Sequence, residues 1–156
     1  MAHVMHIETE RKFLVLDNSF KALALKSYRI KQGYIAHDGG NTVRVRIRDN
    51  QGFLTIKGPS MDGISRFEWE KEIPLAEAEE LFLLCRGGAI DKTRFIVPEG
   101  DGKFFEVDEF YGDNEGLVTA EIELSSPDER FNRPAWLGEE VTGDRRYYNS
   151  HLLSLP

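Results

Sequence analysis

The chain has 156 residues, 40% of them hydrophobic, with ten Phe, five Tyr and two Trp, which suits one folded domain spanning 1–156 rather than a disordered chain. A net charge of -7 with no basic block excludes a nucleic-acid surface, and no apolar run approaches the ~18 residues of a membrane-spanning helix. Cys85 is the single cysteine, which excludes an internal disulfide; with no signal-peptide pattern at the start, a cytoplasmic protein is expected.

Residues 1–5 read as a flexible leader. The strand that follows alternates: Glu8, Glu10 and Lys12 share one face, and Ile7, Thr9, Arg11 and Phe13 share the other. Asp17 and Asn18 mark a turn, after which Ser19 is placed to cap a short helix over 20–25. A second strand is expected over 28–36, then a turn at 37–41 and a strictly alternating strand over 43–48 with an apolar face and a guanidinium face. Asp49-Asn50-Gln51-Gly52 turns the chain into a strand over 53–57, and 58–63, with Pro59 and two Gly, reads as a loop.

In the next strand, 65–73, Glu68, Glu70 and Glu72 lie opposite Phe67, Trp69 and Ile73. A helix is expected after Pro74, with Ala78, Leu81, Phe82 and Cys85 at helical spacing and Gly87-Gly88 as its stop. Strands follow at 91–97, pairing Lys92 with Arg94; at 103–110, pairing Glu106 with Asp108; and at 119–124, pairing Glu121 with Glu123. The tail carries helical-looking pieces, most clearly 147–153.

The expected fold is α+β and mainly antiparallel β: about eight strands joined largely by hairpins, able to close into a barrel, with two to four helices. Two architectures fit the alternation. One is a sheet with a wet outer face and a packed inner face. In the other the charged faces turn inward around a hydrated tunnel, and helices and loops cover the apolar outside. The second accounts better for the segregation into base-rich strands (44–48, 92–94) and acid-rich ones (68–72, 106–108, 121–123). Carboxylates suit hard cations such as Mg²⁺, while Arg and Lys suit phosphate oxygens, so both together suit a metal–polyphosphate complex.

Glu8-Thr9-Glu10-Arg11-Lys12 resembles the E-x-E-x-K signature of the CYTH domain, the triphosphate tunnel metalloenzyme family. Further segments resemble that family in order: Gln32-Gly33-Tyr34, the Arg-x-Arg strand, Thr55-Ile56-Lys57, Ser65 to Glu70, Lys92-Thr93-Arg94, Phe105 to Asp108, Glu121-Ile122-Glu123 and Gly138 to Thr142. The resemblance implies an eight-stranded tunnel barrel and a metal-dependent triphosphatase using Mg²⁺ or Mn²⁺, with a small-molecule triphosphate as its partner. It gives phosphate contacts to Arg46, Arg48, Lys57, Lys92 and Arg94, and metal contacts to Glu8, Glu10, Asp108, Glu121 and Glu123. Lys12, Glu68, Glu70, Lys92 and Tyr34 complete the catalytic lining. Arg44 shares the parity of Arg46 and Arg48; the latter two are taken as nearer Lys57 across the hairpin. Glu72 is left at the tunnel mouth, and a homodimer stays open.

Two other functions use the same lining: cyclisation of ATP to cyclic AMP, for which no nucleoside-pocket motif is visible, and polyphosphate binding without turnover. P-loop, H-E-x-x-H, G-x-S-x-G and Cys-pair zinc motifs are absent. The four His are scattered and carry no expected catalytic role, and Trp136 is read as a packing anchor.

Overall fold

The alternating segments form nine antiparallel strands in the computed structural model, which describes residues 7–152. They are β1 (Ile7–Val15), β2 (Lys26–Asp38), β3 (Asn41–Arg48), β4 (Gln51–Ser60), β5 (Ser65–Ile73), β6 (Arg86–Pro98), β7 (Phe104–Phe110), β8 (Val118–Glu123) and β9 (Leu137–Glu140). The expected leader lies outside the described residues, as does the end of the piece expected at 147–153.

Eight strands run in the order β5-β4-β3-β2-β6-β7-β8-β1, and β1 returns to β5 to close the barrel. Closure uses the first half of β1, where Ile7 faces Phe67 and Thr9 faces Ser65. Its second half is staggered past the end of β5, and β9 takes that free edge, with Phe13 opposite Glu140 and Val15 opposite Leu137. This ninth strand was not expected: at four residues it is too short to show alternation.

The apolar outside is covered in two places. Helix α1 (Phe20–Leu23) sets Phe20 against β6, and with Trp136, Phe13, Val97, Phe105 and Ile122 it forms the main hydrophobic core. The Phe20 ring lies edge-on to Phe95 at 5.4 Å, and Trp136 to Phe105 at 5.2 Å. Trp136 is thus the packing anchor. Helix α2 (Leu75–Leu81) and the 3-10 turn after it pack on β2, β3 and β4. They come close because Gly33 and Gly52 lack side chains; a Cβ there would meet Cys85 Sγ or Ala78 Cβ, each at 2.7 Å. No helix among the described residues is long and apolar enough to cross a membrane.

Four local expectations change. Ser19 makes no side-chain cap of α1; Asp17 Oδ1 instead accepts from its amide (2.8 Å) and hydroxyl (2.5 Å), as in an Asx turn. Gly87 and Gly88 do not stop a helix, because the 3-10 turn has already ended at Leu84. They lie in β6 with φ of 75° and 84°, where the register with β2 slips between Gln32 and Tyr34: a glycine bulge within a strand. The loop expected at 58–63 begins later, since β4 continues through a bulge at Gly58-Pro59 to Ser60. The tail forms 3-10 turns at Arg145–Tyr147 and Asn149–His151.

Candidate active site

Inside the barrel residues of each of its eight strands face a cavity of about 1520 Å³. Glu8, Glu10, Lys12, Tyr34, Arg46, Arg48, Lys57, Glu68, Glu70, Arg94, Glu121 and Glu123 all line it. Lys92 and Asp108, both fully buried, sit in its wall. The charged face therefore turns inward, and the sheet with a wet outer face is excluded.

The register decides who meets whom. Lys57 is the Cα partner of Glu68 on β5, and across the closure it reaches Glu8, with Nζ 2.9 and 3.1 Å from that carboxylate and 3.4 Å from Glu68. Arg44, opposite Thr55, donates to the Thr55 hydroxyl at 3.2 Å and to Glu70 at 3.5 Å, while Thr55 donates to Glu70 at 2.7 Å. The expectation that Arg46 and Arg48 lie nearer Lys57 is corrected by this pairing. Lys57 faces Thr42, so Arg44 is the nearest of the three and Arg48 the farthest. Arg48 lies between the rings of Tyr28 and Phe53, 4.7 and 5.0 Å from their centroids.

On the opposite wall Arg94 is the partner of Asp108 and grips it through Nε (2.8 Å) and Nη2 (2.9 Å), with Nη1 on Glu106 at 3.1 Å. Lys92 Nζ donates to the same Asp108 at 2.7 Å and to the Asn149 side-chain oxygen at 3.1 Å. Both Asp108 oxygens are thus occupied by cations. Burial would raise this carboxyl, yet Arg94 and Lys92 hold it down to about 2. Burial, opposed by Asp108 and helped by Arg94 and Arg46, pushes the Lys92 ammonium down to about 7. Removing the shared anion should be costly. Asp108→Asn is expected to lose about 3–5 kcal/mol of stability, since it strands two buried cations; urea unfolding of the empty chain measures it, and a loss below about 1 kcal/mol would show that Asp108 is not the anchor.

Between these walls the acids are crowded. Burial, then Glu121 and Glu8, raises Glu10 well above the carboxylate range, while Glu121 is held well below it against burial, chiefly by Lys12 and a hydrogen bond from Glu10. Burial and a hydrogen bond with Glu8 bring Glu68 to about 7. Burial and neighbouring acids thus act together on Glu10 and Glu68, and the four carboxylates concentrate negative charge on one side of the cavity. Among the described residues no three acids or histidines form a ready-made metal cage. Oxygen donors of this kind nevertheless fit a hard divalent ion that keeps waters and borrows phosphate oxygens.

Arg44, whose entry the sequence leaves open, lines the cavity; so do Arg66 and Glu106, which strand parity carries but which have no site role in the sequence reading; Glu72 is exposed, outside the lining. The sequence reading could not foresee the tail: the Tyr147 carbonyl accepts from Lys12 Nζ at 2.5 Å, and Asn149 reaches Lys92. Tyr34 packs with Ile90 and Phe110, and no hydrogen bond joins its hydroxyl to a lysine among the described residues.

A closed β-barrel lined inside by base-rich and acid-rich strands has the cations to hold a polyanion and acids set beside them. The chain belongs to the CYTH domain family, whose model matches residues 6–148. It is 49% identical over 150 residues to an inorganic triphosphatase of Acetivibrio thermocellus, covering 96% of this chain and 94% of the relative. It is 38% identical over 153 residues to an inorganic triphosphatase of Nitrosomonas europaea, covering 96% and 99%. A crystal structure of an inorganic triphosphatase superposes with a TM-score of 0.65 at 35% identity, over 96% of this chain and 99% of that one.

Proposed function

We propose that the chain is a metal-dependent inorganic triphosphatase, hydrolysing triphosphate by attack of water on a terminal phosphoryl group. The observation that carries this reading is the pairing of Arg44, Lys57 and Arg94 with interior acids around one cavity, in a chain half identical to a protein named for that activity. Arg44, Arg46, Lys57 and Arg94 bind the non-bridging oxygens, with Arg48 farther along the same strand, and neutralise charge that grows toward the transition state. Glu8, Glu10, Glu121 and Glu123 hold the metal, and Asp108 holds Lys92 and Arg94 in place instead of binding metal itself. Mg²⁺ or Mn²⁺ supplies Lewis-acid charge at the phosphoryl oxygens when bound. Lys12, Glu68, Glu70 and Tyr34 complete the lining that positions the chain and its attacking water. A reducing cytoplasm, where Cys85 stays a thiol, goes with this reading.

Three measurements on one preparation test it: orthophosphate from triphosphate, cyclic AMP from ATP, and triphosphate binding under the same conditions. Orthophosphate release with no cyclic AMP is the expected result. Tight binding without release, or cyclic AMP as the main product, would overturn it.

A further inference from the structure

Arg46 differs from Lys57, Arg44 and Arg94 in what holds it. Lys57 is bracketed by Glu8 and Glu68, Arg44 has Glu70, and Arg94 has Asp108 and Glu106. Arg46 is gripped by a neutral amide: its Nε and Nη2 both donate to Gln32 Oε1, at 3.1 and 2.9 Å. Among the described residues it has no ion-pair partner.

Gln32 and Arg46 are Cα partners across β2 and β3, so their side chains stand side by side on the cavity face. Gln32 is fully buried, and its Nε2 has no hydrogen-bond partner among the described residues. For stability alone a glutamate of the same length would serve better, offering Arg46 charge-assisted bonds and leaving no donor orphaned. The amide does what glutamate cannot. It fixes the plane of the guanidinium through two N–H groups and leaves the positive charge unspent. Burial and the guanidiniums of Arg44 and Arg94 lower the Arg46 pKa, the mark of excess positive charge that a phosphate would relieve.

We propose that Gln32 is a positioning residue that aims Arg46 at the bound phosphate chain and, because it is neutral, keeps Arg46 the strongest phosphate contact in the barrel. This rests on the triphosphate reading above. It assigns Gln32 a role that electrostatics can test, since changing one atom of its side chain changes the charge while keeping the shape.

The test compares the wild type with Gln32→Glu, Gln32→Met, Arg46→Met and the Gln32→Met/Arg46→Met pair. Two quantities are read: orthophosphate release from triphosphate, and the affinity for imidotriphosphate, a slowly hydrolysed analogue, by calorimetry in Mg²⁺. Gln32→Glu should raise KM and the analogue Kd about tenfold to a hundredfold, with a smaller change in kcat, because Arg46 then spends its charge on the new carboxylate. The melting temperature of the empty Gln32→Glu chain should hold or rise, opposite in direction to the loss of binding. A residue with only a structural role would not separate the two. Gln32→Met should weaken binding in the wild-type background and add little once Arg46→Met is present, since its effect runs through that guanidinium. Wild-type affinity in Gln32→Glu, or a full second loss from Gln32→Met on top of Arg46→Met, overturns the proposal. A wild type that binds imidotriphosphate but releases no orthophosphate overturns the hydrolytic reading, and the affinities then decide the role of Gln32 on their own.

Discussion

Chelation of divalent metal should stop triphosphate hydrolysis, and Mg²⁺ or Mn²⁺ should restore it. The reason lies in the cavity lining, where Glu8, Glu10, Glu68, Glu121 and Glu123 crowd negative charge onto one side. A triphosphate adds several negative charges to that neighbourhood. The interior Arg and Lys cannot answer them all, because Lys57, Arg44 and Arg94 are already partly spent on Glu8, Glu70 and Asp108. A bound divalent ion is worth several kcal/mol of transition-state charge stabilisation, so turnover in excess EDTA should fall by at least about a hundredfold. Orthophosphate release measured before chelation, in chelator and after adding back each metal checks this. Unchanged turnover in chelator would remove the metal from the account.

Charge removal along β3 should act in an order set by the strand register. Arg44, beside Thr55 and Glu70 and nearest Lys57, lies deep in the cavity. Arg48, at the end of the strand, lies between Tyr28 and Phe53 and touches Gln51 at 3.3 Å. Losing a charge-assisted hydrogen bond to phosphate costs about 1.5–3 kcal/mol. Arg44→Met should therefore lower kcat/KM for triphosphate about tenfold to a hundredfold, mostly through KM, whereas Arg48→Met should cost several-fold at most. The reverse order would mean that the phosphates sit at the Tyr28 end of the barrel.

Much of this site was legible from parity alone. In Glu8-Thr9-Glu10-Arg11-Lys12 the period of two puts both acids and Lys12 on one face whatever the neighbouring strand, and the same holds for Lys92 with Arg94 and for Glu121 with Glu123. That the charged face turns inward was expected from the segregation of acids and bases among strands. Register was not legible. The sequence reading puts Arg46 and Arg48 nearer Lys57, whereas the antiparallel ladder running out from the turn sets Thr42 opposite Lys57 and leaves Arg44 nearest. Asp108 shows the same limit. Its parity marks it as interior, but only the pairing of β6 with β7 shows Arg94 and Lys92 filling both its oxygens. Gly87-Gly88 was ambiguous for a physical reason: positive φ serves a helix end and a strand bulge equally well. The contacts of Tyr147 and Asn149 with Lys12 and Lys92 join residues more than fifty positions apart, and no local pattern encodes them.

The central claim is that the barrel interior is a site for three linked phosphates, and ligand-dependent melting tests it most directly. In the empty protein Arg44, Arg46 and Arg94 crowd one another, so a ligand that binds only the folded chain must stabilise it by about RT ln(1 + [L]/Kd), about 2.7 kcal/mol at a hundredfold excess. For a chain of this length that corresponds to a rise of about 5–10 °C. Imidotriphosphate with Mg²⁺ should give such a shift, pyrophosphate a smaller one and sulfate almost none, and Arg46→Met should lose much of the first while melting near the wild-type temperature without ligand. Equal shifts from all three anions, or no shift from imidotriphosphate, would contradict it.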